Sequence, residues 1–549
     1  MLAAAQIQIS DILLLLAGLG VFLVGMKLMS DSMETLANNR LRSLLNSVTN
    51  NKWKGVGVGA ATTAIIQSSS ATTVMTVGFV NAGVLTLTQA VPIIMGANIG
   101  TTITAQLAAL QNFPITEYIT LLVIIGAFMS ILGKKDKTRT LGIIFSGLGL
   151  LFIGLDLMSS SMSAMRESTF FSETLQAITN PFLLILIGTV FTAIVQSSSA
   201  VTGILVSMTA SGIIIGGGGN AILYVILGTN IGTCVTAILS SIGANTNGKR
   251  TAIIHLMFNV IGAIIFLIVL LCWPAFYDQV LVGLFPDAST TQIAMFHTMF
   301  NVVTTLLLLP FSSFLVKLSK IIVKDKKGDS DELRCKFIDE RFLHTPAIAV
   351  AQTIKEVGNT LRVSKQALDL SINSFTSRDY SKLDKFDDLK KQIKFYVNKT
   401  TKYLVDVSSE QLSYQDEKTI GSLYHALTDV ERVTDLADNI KRYCKTTEEG
   451  GLVFSDSVIT DVNEMHDKLT EQFDAVITTF ESRDKSKLPE IEKREDEVDE
   501  FKRELLDSHI KRLNNGECNI ESSSVFINLV NNIERVGDHL AKIARSVAE

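Results

Sequence analysis

TAIIQSSSATT, at residues 63–73, returns as TAIVQSSSAVT at residues 192–202, and nine of the eleven positions are identical. The two copies lie 129 residues apart, and strongly apolar sequence surrounds each of them. A run of one glutamine and three serines is unfavourable in hydrocarbon unless its polar groups are paired. Its duplication therefore indicates a buried polar site that is assembled from two parts of the chain.

The duplication extends well beyond these two stretches. GLGVFLVGMKLMS at residues 18–30 is repeated as GLGLLFIGLDLMS at 147–159, and GANIGTTITA at 96–105 is repeated as GTNIGTCVTA at 228–237. Because all three motifs occur in the same order, the sequence predicts two copies of one structural unit. We place repeat one at about residues 11–133, repeat two at about 140–272 and an extra helix at about 292–316.

The composition changes along the chain. Of its 549 residues, those up to about residue 320 carry few charges, whereas the remainder is rich in Lys, Glu and Asp. The first part contains several apolar runs near twenty residues, the length that crosses a bilayer. The sequence therefore predicts a transmembrane domain over residues 1–320, a linker over 321–344 and a soluble helical domain over 345–549.

Two classes of function are not expected. The sequence contains no nucleotide-binding loop and no catalytic triad pattern, so an enzyme is not predicted. The tail lacks an arginine-rich patch interleaved with aromatic residues, so a nucleic-acid partner is not predicted either. Two histidines in apolar segments, His255 and His297, are interpreted as helix-packing or interface residues.

Lys and Arg in the short loops predict the orientation of the helices, because cytoplasmic loops carry an excess of both. The loops placed inside hold Arg40, Arg42, Lys52, Lys54, Arg139, Lys249, Arg250 and the basic run 324–327. The loops placed outside lie near Glu167, Glu173, Asp278 and Asp287. Repeat one then begins outside and repeat two begins inside. The two are therefore inverted repeats, with the N-terminus outside and the C-terminal domain in the cytoplasm.

Each QSSS segment is predicted to be a re-entrant hairpin, because its two apolar arms are each too short to cross a bilayer comfortably. Non-helical backbone at that depth is tolerated only where it is buried in protein or lines a wet cavity. Inverted repeats with broken helices are typical of secondary transporters, whose binding site lies near the midplane.

The residue types at these breaks suit a small ion. Backbone N–H groups at the start of the next half-helix favour an anion, whereas hydroxyls and unwound carbonyls can bind Na⁺. The candidate substrate and sodium ligands are Gln67, Ser68, Ser69, Ser70, Thr72, Thr73, Asn98, Thr101, Gln196, Ser197, Ser198, Ser199, Thr202, Asn230 and Thr233. Such residues can also serve only to pack helices closely. Their duplication in an inverted context favours binding.

The paired QSSS motifs, with their repeated flanks, resemble the type II sodium–phosphate cotransporter family over roughly residues 13–318. The resemblance implies Na⁺-coupled transport of inorganic phosphate, with residues 67–70 and 196–199 forming the substrate and sodium region. The residues alone predict only a transporter for a small anion that is coupled to an ion.

The soluble tail is duplicated as well. FTSRDYSKL at residues 375–383 returns as FESRDKSKL at 480–488, and VERVTDLADNI at 430–440 returns as IERVGDHLAKI at 533–543. Between them, DKFDDLK from Asp384 parallels DEVDEFK from Asp496. Heptad-like apolar spacing and few glycines predict three amphipathic helices in each copy. The fold expected is two antiparallel three-helix bundles side by side, at about residues 345–446 and 454–549.

Two acidic pairs mark the third helix of each tail copy. Glu431 and Asp435 are four residues apart, as are Glu534 and Asp538, so each pair shares a helix face. Such pairs can hold a hard cation, although a solvated acidic face is the alternative. The tail resembles the PhoU family over about residues 346–548, and these four residues match its metal-binding E/D-x-x-x-D motif. The resemblance implies a divalent or trivalent metal and a regulatory role.

The predicted protein is all-α: a multi-pass transmembrane inverted-repeat domain with re-entrant hairpins, followed by two soluble three-helix bundles. Its predicted function is sodium-coupled symport of inorganic phosphate across the cell membrane, by alternating access around the two QSSS hairpins. Its expected partners are phosphate, Na⁺ and the lipid bilayer, and a homo-oligomer is left open. Two alternatives remain: an exporter that relieves phosphate excess, and a membrane-anchored phosphate or metal sensor without net transport.

The predicted orientation can be tested by labelling single cysteines with a reagent that does not cross membranes. Cysteines introduced at Arg42 and Lys137 should react only from the inside, and cysteines at Ser172 and Asp287 only from the outside, because basic loops are retained in the cytoplasm. Labelling of the Lys137 position from outside intact cells would contradict the inverted-repeat assignment.

Overall fold

The computed structural model describes residues 9–46, 51–112, 116–324, 333–343, 345–410, 412–515 and 520–547. These residues form helices joined by turns, and no strand occurs among them. The chain divides into two compact units, Met1–Asp329 and Ser330–Glu549. The predicted all-α class is therefore confirmed for the part of the chain that the structure describes. Residues 325–332 and 344 of the predicted linker lie outside the described residues.

The first unit consists of thirteen α-helices within its described residues. They are α1 (Ile9–Asn46), α2 (Lys52–Ile66), α3 (Ser69–Asn81), α4 (Leu87–Ala109), α5 (Thr116–Leu132), α6 (Asp136–Arg166), α7 (Thr169–Ala177), α8 (Pro181–Val195), α9 (Ser198–Ala210), α10 (Ala221–Ser240), α11 (Thr246–Cys272), α12 (Ser289–Leu308) and α13 (Ser312–Ile322). Six of them (α1, α4, α6, α10, α11 and α12) are long and apolar enough to cross a membrane.

The motif at residues 18–30 and its repeat at 147–159 lie on α1 and α6, which pack against each other. The two helices approach closely through glycines. A Cβ atom at Gly25 would lie 2.5 Å from the backbone nitrogen of Leu151, and one at Gly154 would lie 2.4 Å from that of Phe22. Small residues at such contacts let membrane helices pack backbone to backbone. This pair of repeats therefore serves to join the two halves.

Glycines also bring each first arm of a QSSS segment against the following long helix. In repeat one, a Cβ at Gly59 of α2 would lie 2.0 Å from the carbonyl oxygen of Ile93 on α4. In repeat two, a Cβ at the equivalent Gly188 of α8 would lie 2.3 Å from the carbonyl oxygen of Val225 on α10. A side chain is therefore excluded at both positions, and the α2–α4 and α8–α10 pairs are built alike.

The second arms lie between the two repeats. Helix α3 packs against α10 and α11 as well as against α4 of its own repeat. Helix α9 packs against α4, α6 and α12. Each QSSS break is therefore followed by a short helix that contacts the opposite repeat, which places both breaks within the protein.

One predicted helix is divided. The segment expected to run over about residues 292–316 forms α12, which ends at Leu308, and α13, which begins at Ser312. Pro310 lies in the interruption. Proline lacks the N–H that would continue the helix, and its ring clashes with the preceding turn. The prediction of one continuous helix was wrong for this reason.

The second unit contains six long helices within its described residues. They are α14 (Pro346–Ser377), α15 (Asp384–Ser408), α16 (Tyr414–Glu449), α17 (Asp456–Ser482), α18 (Leu488–Asn514) and α19 (Ile520–Arg545). Each copy of the tail supplies three of them, as predicted. Helix α16 packs against α14, α15 and α19, and α17 packs against α14, α18 and α19.

The repeated F-x-S-R-D segment of the tail is a helix stop. Arg378 and Arg483 end α14 and α17 with left-handed φ angles of 58° and 55°. The next residue, Asp379 or Asp484, accepts hydrogen bonds from the backbone N–H and the hydroxyl of the serine two positions later. These bonds lower the pKa of both aspartates. This repeat therefore has a structural explanation, unlike the acidic pairs.

Candidate functional site

Both QSSS segments interrupt their helices with the same backbone geometry. Gln67 has φ 55° and ψ 22°, and Gln196 has φ 56° and ψ 21°. The following residues, Ser68 and Ser197, have φ −144° and −142°, each with ψ 104°. A left-handed glutamine is uncommon, and such strain is typical of functional sites. The sequence prediction of two equivalent breaks agrees with this geometry.

The first serine of each segment caps the next helix. The Ser68 hydroxyl accepts a hydrogen bond from the backbone N–H of Ala71 at 3.1 Å, and the Ser197 hydroxyl accepts one from Ala200 at 3.2 Å. Helices α3 and α9 thus begin at the break, where their positive dipole ends and first N–H groups favour an anion.

Most of the predicted ligands are removed from the surface. The buried residues are Gln67, Ser69, Thr72, Thr73, Asn98, Thr101, Ser198, Ser199, Thr202, Asn230 and Thr233. Ser68, Ser70 and Ser197 are half-buried, and Gln196 is exposed. Among the described residues, no hydrogen bond joins one QSSS segment directly to the other. Their connection runs through α4, which packs against α9, and α10, which packs against α3.

Two equivalent threonine hydroxyls have no hydrogen-bond partner among the described residues. Thr73 on α3 and Thr202 on α9 are almost fully buried, and both hydroxyl oxygens are unpaired. Neighbouring Thr72 differs, because its hydroxyl accepts from Thr63 at 2.9 Å. Buried polar groups are nearly always paired, so an unpaired one needs an explanation, such as a ligand. The two threonines are the predicted site residues with the clearest structural sign of a binding role.

Asn98 and Asn230 are held in the same orientation in the two repeats. The amide nitrogen of each donates to the carbonyl oxygen four residues earlier, Ile94 or Ile226, at 2.9 Å. The amide oxygen therefore faces away from its own helix. Such an oxygen is a suitable ligand for Na⁺ or an acceptor for a donor on a neighbouring helix.

The two glutamines have unequal surroundings despite their equal backbone angles. The oxygen of Gln67 accepts a hydrogen bond from Thr104 at 2.9 Å, and its nitrogen donates to the carbonyl of Ala64 at 2.6 Å. The equivalent of Thr104 in repeat two is Thr236, whose buried hydroxyl has no partner among the described residues. Gln196 is exposed. The first segment is therefore closed around its glutamine, and the second is not.

Helix α1 supplies the additional cover in repeat one. The Ser30 hydroxyl donates to the carbonyl oxygen of Ile66, at the end of α2. Ser159 is the equivalent residue on α6, but its hydroxyl accepts from Gln111 at 2.7 Å instead. Helix α1 thus contacts the first QSSS break, whereas no hydrogen bond of Ser159 within the described residues reaches the end of α8.

In the tail, the structure brings Glu534 and Asp538 of α19 together with Asp499 of α18. One ligand oxygen from each lies within 4.8 Å of the others, as metal binding requires. Asp499 Oδ1 is buried and has no hydrogen-bond partner among the described residues. Burial raises the pKa of Glu534, a salt bridge with Lys502 lowers it, and the neighbouring acids Asp538 and Asp499 raise it further.

The equivalent acids of the first tail copy are arranged differently. Glu431 and Asp435 are exposed, and within the described residues they join no group of three ligands of this kind. Asp387 corresponds to Asp499, but it forms a 2.5 Å salt bridge with Lys441. The position of Lys441 is occupied by Ala544 in the second copy. A lysine thus neutralises in one copy the carboxylate that is unpaired in the other.

Asp499 was not among the metal ligands predicted from sequence. It lies in the DEVDEFK repeat, in which acids are spaced by three as well as by four, so the spacing did not single it out. The comparison of the two copies contained a usable signal, because the lysine that pairs with Asp387 is replaced by alanine in the second copy.

Comparison with known proteins gives two family matches. The profile described as Na⁺/Pi-cotransporter matches residues 21–160 and again residues 159–284. The PhoU domain profile matches residues 462–547. The cotransporter match thus occurs twice, once for each half of the first unit.

Individual relatives cover different parts of the chain. The uncharacterised protein YqeW of Bacillus subtilis is 33% identical over 306 residues, which are 56% of this chain and 96% of that protein. The putative inorganic phosphate export protein YjbB of Escherichia coli K12 is 24% identical over 541 residues, 97% of each chain. Human sodium-dependent phosphate transport protein 2B is 35% identical over 106 residues, 19% of this chain and 15% of that protein. No solved structure matches the chain.

The tail geometry predicts one strong metal site rather than two. Calorimetric titration of the purified full chain with Mn²⁺, Zn²⁺, Mg²⁺ and Fe³⁺ should show one saturable site for the preferred metal. Asp499→Asn should weaken binding by about tenfold or more, because it removes a charged ligand. Lys441→Ala should create a second site, because it frees Asp387, the equivalent of Asp499, in the copy that carries Glu431 and Asp435.

Glu448→Gln, on an exposed part of α16, is the matched control and should leave binding unchanged. Equal binding by the wild type and Asp499→Asn would show that these carboxylates do not hold the metal. A wild type that already binds two metals would show that Lys441 does not prevent binding to the first copy.

Proposed function

The chain belongs to the Na⁺/Pi-cotransporter family and carries a PhoU domain, and from this premise we propose that it moves inorganic phosphate across the cell membrane in symport with Na⁺. Residues 1–320 carry out transport by alternating access around the two QSSS breaks. Residues 345–549 form a cytoplasmic regulatory domain, and the N-terminus lies outside. The observation that carries the proposal is the pair of breaks with equal backbone angles and unequal cover.

The chemistry of the breaks supports an anion and a small cation in one place. The starts of α3 and α9 favour phosphate oxygens, and the hydroxyls of Thr73 and Thr202 can donate to them. The amide oxygen of Asn98 suits Na⁺, whereas the amide oxygen of Asn230 contacts His297 and Asn301. All of these groups are neutral, so the site holds no permanent charge that would have to be neutralised after release.

The unequal cover of the two breaks supports alternating access. In an inverted-repeat transporter, one half closes its side of the site while the other half leaves its side accessible. Gln67 is buried beneath α1 and α4, and Gln196 is exposed. Because the sequences around the two glutamines are nearly identical, an exchange of the two arrangements would move access to the opposite side.

Export is the second candidate function, and it is favoured by the share of this chain that each named relative covers. The relative that spans 97% of both chains is named a putative inorganic phosphate export protein. The relative named sodium-dependent covers only 19% of this chain. Under this alternative the same two breaks bind phosphate, and net movement is outward. A sensor without net flux would bind phosphate at the breaks and show no transport.

Transport by the purified chain in liposomes distinguishes these candidates. Labelled phosphate should accumulate when a Na⁺ gradient points in the direction of phosphate movement and should not accumulate when it is reversed. Gln67→Ala and Gln196→Ala should each reduce the rate about tenfold or more. The first leaves the buried Thr104 hydroxyl unpaired, at a cost of about 1–3 kcal/mol, and the second has the same effect on Thr236 once the two arrangements exchange. Gln279→Ala is the control: this glutamine is exposed on the π-helical segment Tyr277–Val282, where it accepts a hydrogen bond from Trp273 outside both breaks.

Phosphate movement that ignores the Na⁺ gradient would contradict symport and favour the exporter. Saturable phosphate binding without flux would favour the sensor. A wild-type rate in either glutamine variant would show that the QSSS break carrying that glutamine does not line the site.

Crosslinking can test the exchange of the two arrangements. In a variant without native cysteines, a short bifunctional thiol reagent should join the pair Ser30→Cys/Ile66→Cys when repeat one is covered. The equivalent pair Ser159→Cys/Val195→Cys should react in the opposite state. Phosphate and Na⁺ should change the yields of the two pairs in opposite directions, because a ligand shifts the population of states that it binds unequally. Yields that never change in opposite directions would contradict alternating access between these arrangements.

A further inference from the structure

A five-residue motif occurs twice in the membrane unit and has no part in the QSSS breaks. HLMFN at residues 255–259 lies on α11, and HTMFN at 297–301 lies on α12. A spacing of four residues places the histidine and the asparagine of each motif on one helix face. All four side chains, His255, Asn259, His297 and Asn301, have at most 1% of their surface exposed. Burying this many polar groups between membrane helices is unfavourable unless they are paired.

The two motifs contact adjacent turns of α10. His297 Nε2 lies 3.3 Å from the side-chain oxygen of Asn230, and Asn301 donates to that oxygen at 3.4 Å. Asn259 donates to the sulfur of Cys234, one turn further along α10, at 3.2 Å. Three helices thus contribute to one buried polar cluster, defined here as Asn230, Cys234, His255, Asn259, His297 and Asn301.

Backbone contacts fix the orientation of the two asparagines. The amide nitrogens of Asn259 and Asn301 donate to the carbonyl oxygens of His255 and His297, at 3.0 Å and 2.9 Å. A carbonyl oxygen only accepts, so the NH₂ group must face it and the amide oxygen must face away. Both amide oxygens are buried, and neither has a hydrogen-bond partner among the described residues.

The histidines add further unpaired acceptors. Because the oxygen of Asn230 only accepts, Nε2 of His297 must carry the proton that it shares with that oxygen. Nδ1 of His297 is then an acceptor, and it has no partner within the described residues. Neither ring nitrogen of His255 has a hydrogen-bond partner among the described residues. In the neutral ring one of these nitrogens is a donor and the other an acceptor.

The cluster therefore has an excess of neutral acceptors. Four acceptor atoms and one ring N–H lack partners, and no carboxylate, lysine or arginine takes part in its hydrogen bonds. An anion would find too few donors. A metal of the zinc type is also disfavoured, because His255, His297 and Cys234 do not form a group with ligand atoms within 4.8 Å in the described chain. Hard, uncharged amide oxygens suit a monovalent cation.

We propose that this cluster binds one Na⁺ ion between α10, α11 and α12, with the amide oxygens of Asn259 and Asn301 as ligands. The coupling role of this ion rests on the proposed function, but its binding does not. Asn230 connects the cluster to the QSSS region, because its oxygen contacts His297 and Asn301 while α10 packs against both α3 and α9. Occupancy of the cluster therefore influences the position of a helix that contacts both second arms.

Equilibrium binding of radioactive Na⁺ to the purified full chain, in the absence of phosphate, tests this site. The double variant Asn259→Leu/Asn301→Leu should bind one Na⁺ fewer per chain than the wild type, because two uncharged ligand oxygens are lost at nearly constant volume. Thr290→Val is the control: this threonine is buried on α12, as Asn301 is, but it donates to the carbonyl of Ala109, outside the cluster. It should bind as many Na⁺ ions as the wild type.

A second variant keeps the test decisive if the double variant does not fold. Asn259→Asp retains the shape and adds a negative charge, so half-saturation of the cluster should need an at least tenfold lower Na⁺ concentration. A gain in affinity cannot result from misfolding. His255→Gln/His297→Gln preserves neutral acceptors and should retain the ion.

Equal Na⁺ stoichiometry in the wild type and Asn259→Leu/Asn301→Leu, with no gain in Asn259→Asp, overturns the proposal. Proton uptake by the wild type that is lost in His255→Gln/His297→Gln, together with an unchanged Na⁺ stoichiometry in Asn259→Leu/Asn301→Leu, overturns it equally and identifies a proton as the occupant. Loss of one Na⁺ in the double variant supports the site even if liposomes show no phosphate transport. If liposomes show phosphate transport but the double variant binds as many Na⁺ ions as the wild type, the proposed function is supported and this Na⁺ site is not.

Discussion

Hydrocarbon offers no hydrogen-bond partners, so a membrane helix can stop at mid-depth only where other protein surrounds the free backbone groups. The arrangement of the first unit depends on this constraint. Each QSSS break turns through a left-handed glutamine, a conformation that costs an ordinary residue about 1–2 kcal/mol. The glycine contacts of α2 with α4, and of α8 with α10, bring neighbouring backbone close enough to enclose the break. The short helices that follow are then held between the repeats, with their first N–H groups directed at a buried site.

The hydrogen bonds distinguish the repeated motifs that are proposed to bind a ligand from those that only shape the helices and their contacts. The motif at residues 18–30 is repeated as well, yet its glycines serve the contact of α1 with α6. The F-x-S-R-D repeat of the tail likewise ends a helix through its arginine and aspartate. At Thr73, Thr202, Asn259 and Asn301, in contrast, buried polar atoms have no partner among the described residues. A repeated sequence indicates a repeated structure, whereas a buried polar atom without a hydrogen-bond partner indicates a ligand.

The sequence was sufficient for the breaks, the duplicated halves and the six tail helices, because each follows from local signals: polar residues in apolar sequence, repeated motifs and amphipathic spacing. It was insufficient where tertiary packing decides. Pro310 is a local signal for the interruption of the last membrane segment, but Pro92 lies inside α4 without ending that helix, so a proline alone does not decide the outcome. Asp499 could not be chosen from its spacing, since its role depends on α18 lying beside α19. The unequal cover of Gln67 and Gln196 lies outside any argument from sequence, because nearly identical sequences predict identical surroundings.

The two units are both duplicated, and both have unequal halves, but the causes differ. In the first unit, the residues that differ in burial are the same in both copies, glutamine with glutamine and threonine with threonine. That inequality is conformational, and under the proposed mechanism the two halves exchange it. In the second unit, Lys441 in one copy stands where the other has Ala544, and this difference decides whether an aspartate is neutralised. That inequality is chemical and permanent. The glutamine is kept in both copies of the first unit, whereas the lysine of the second unit is present in one copy only, and this difference separates an exchangeable inequality from a fixed one.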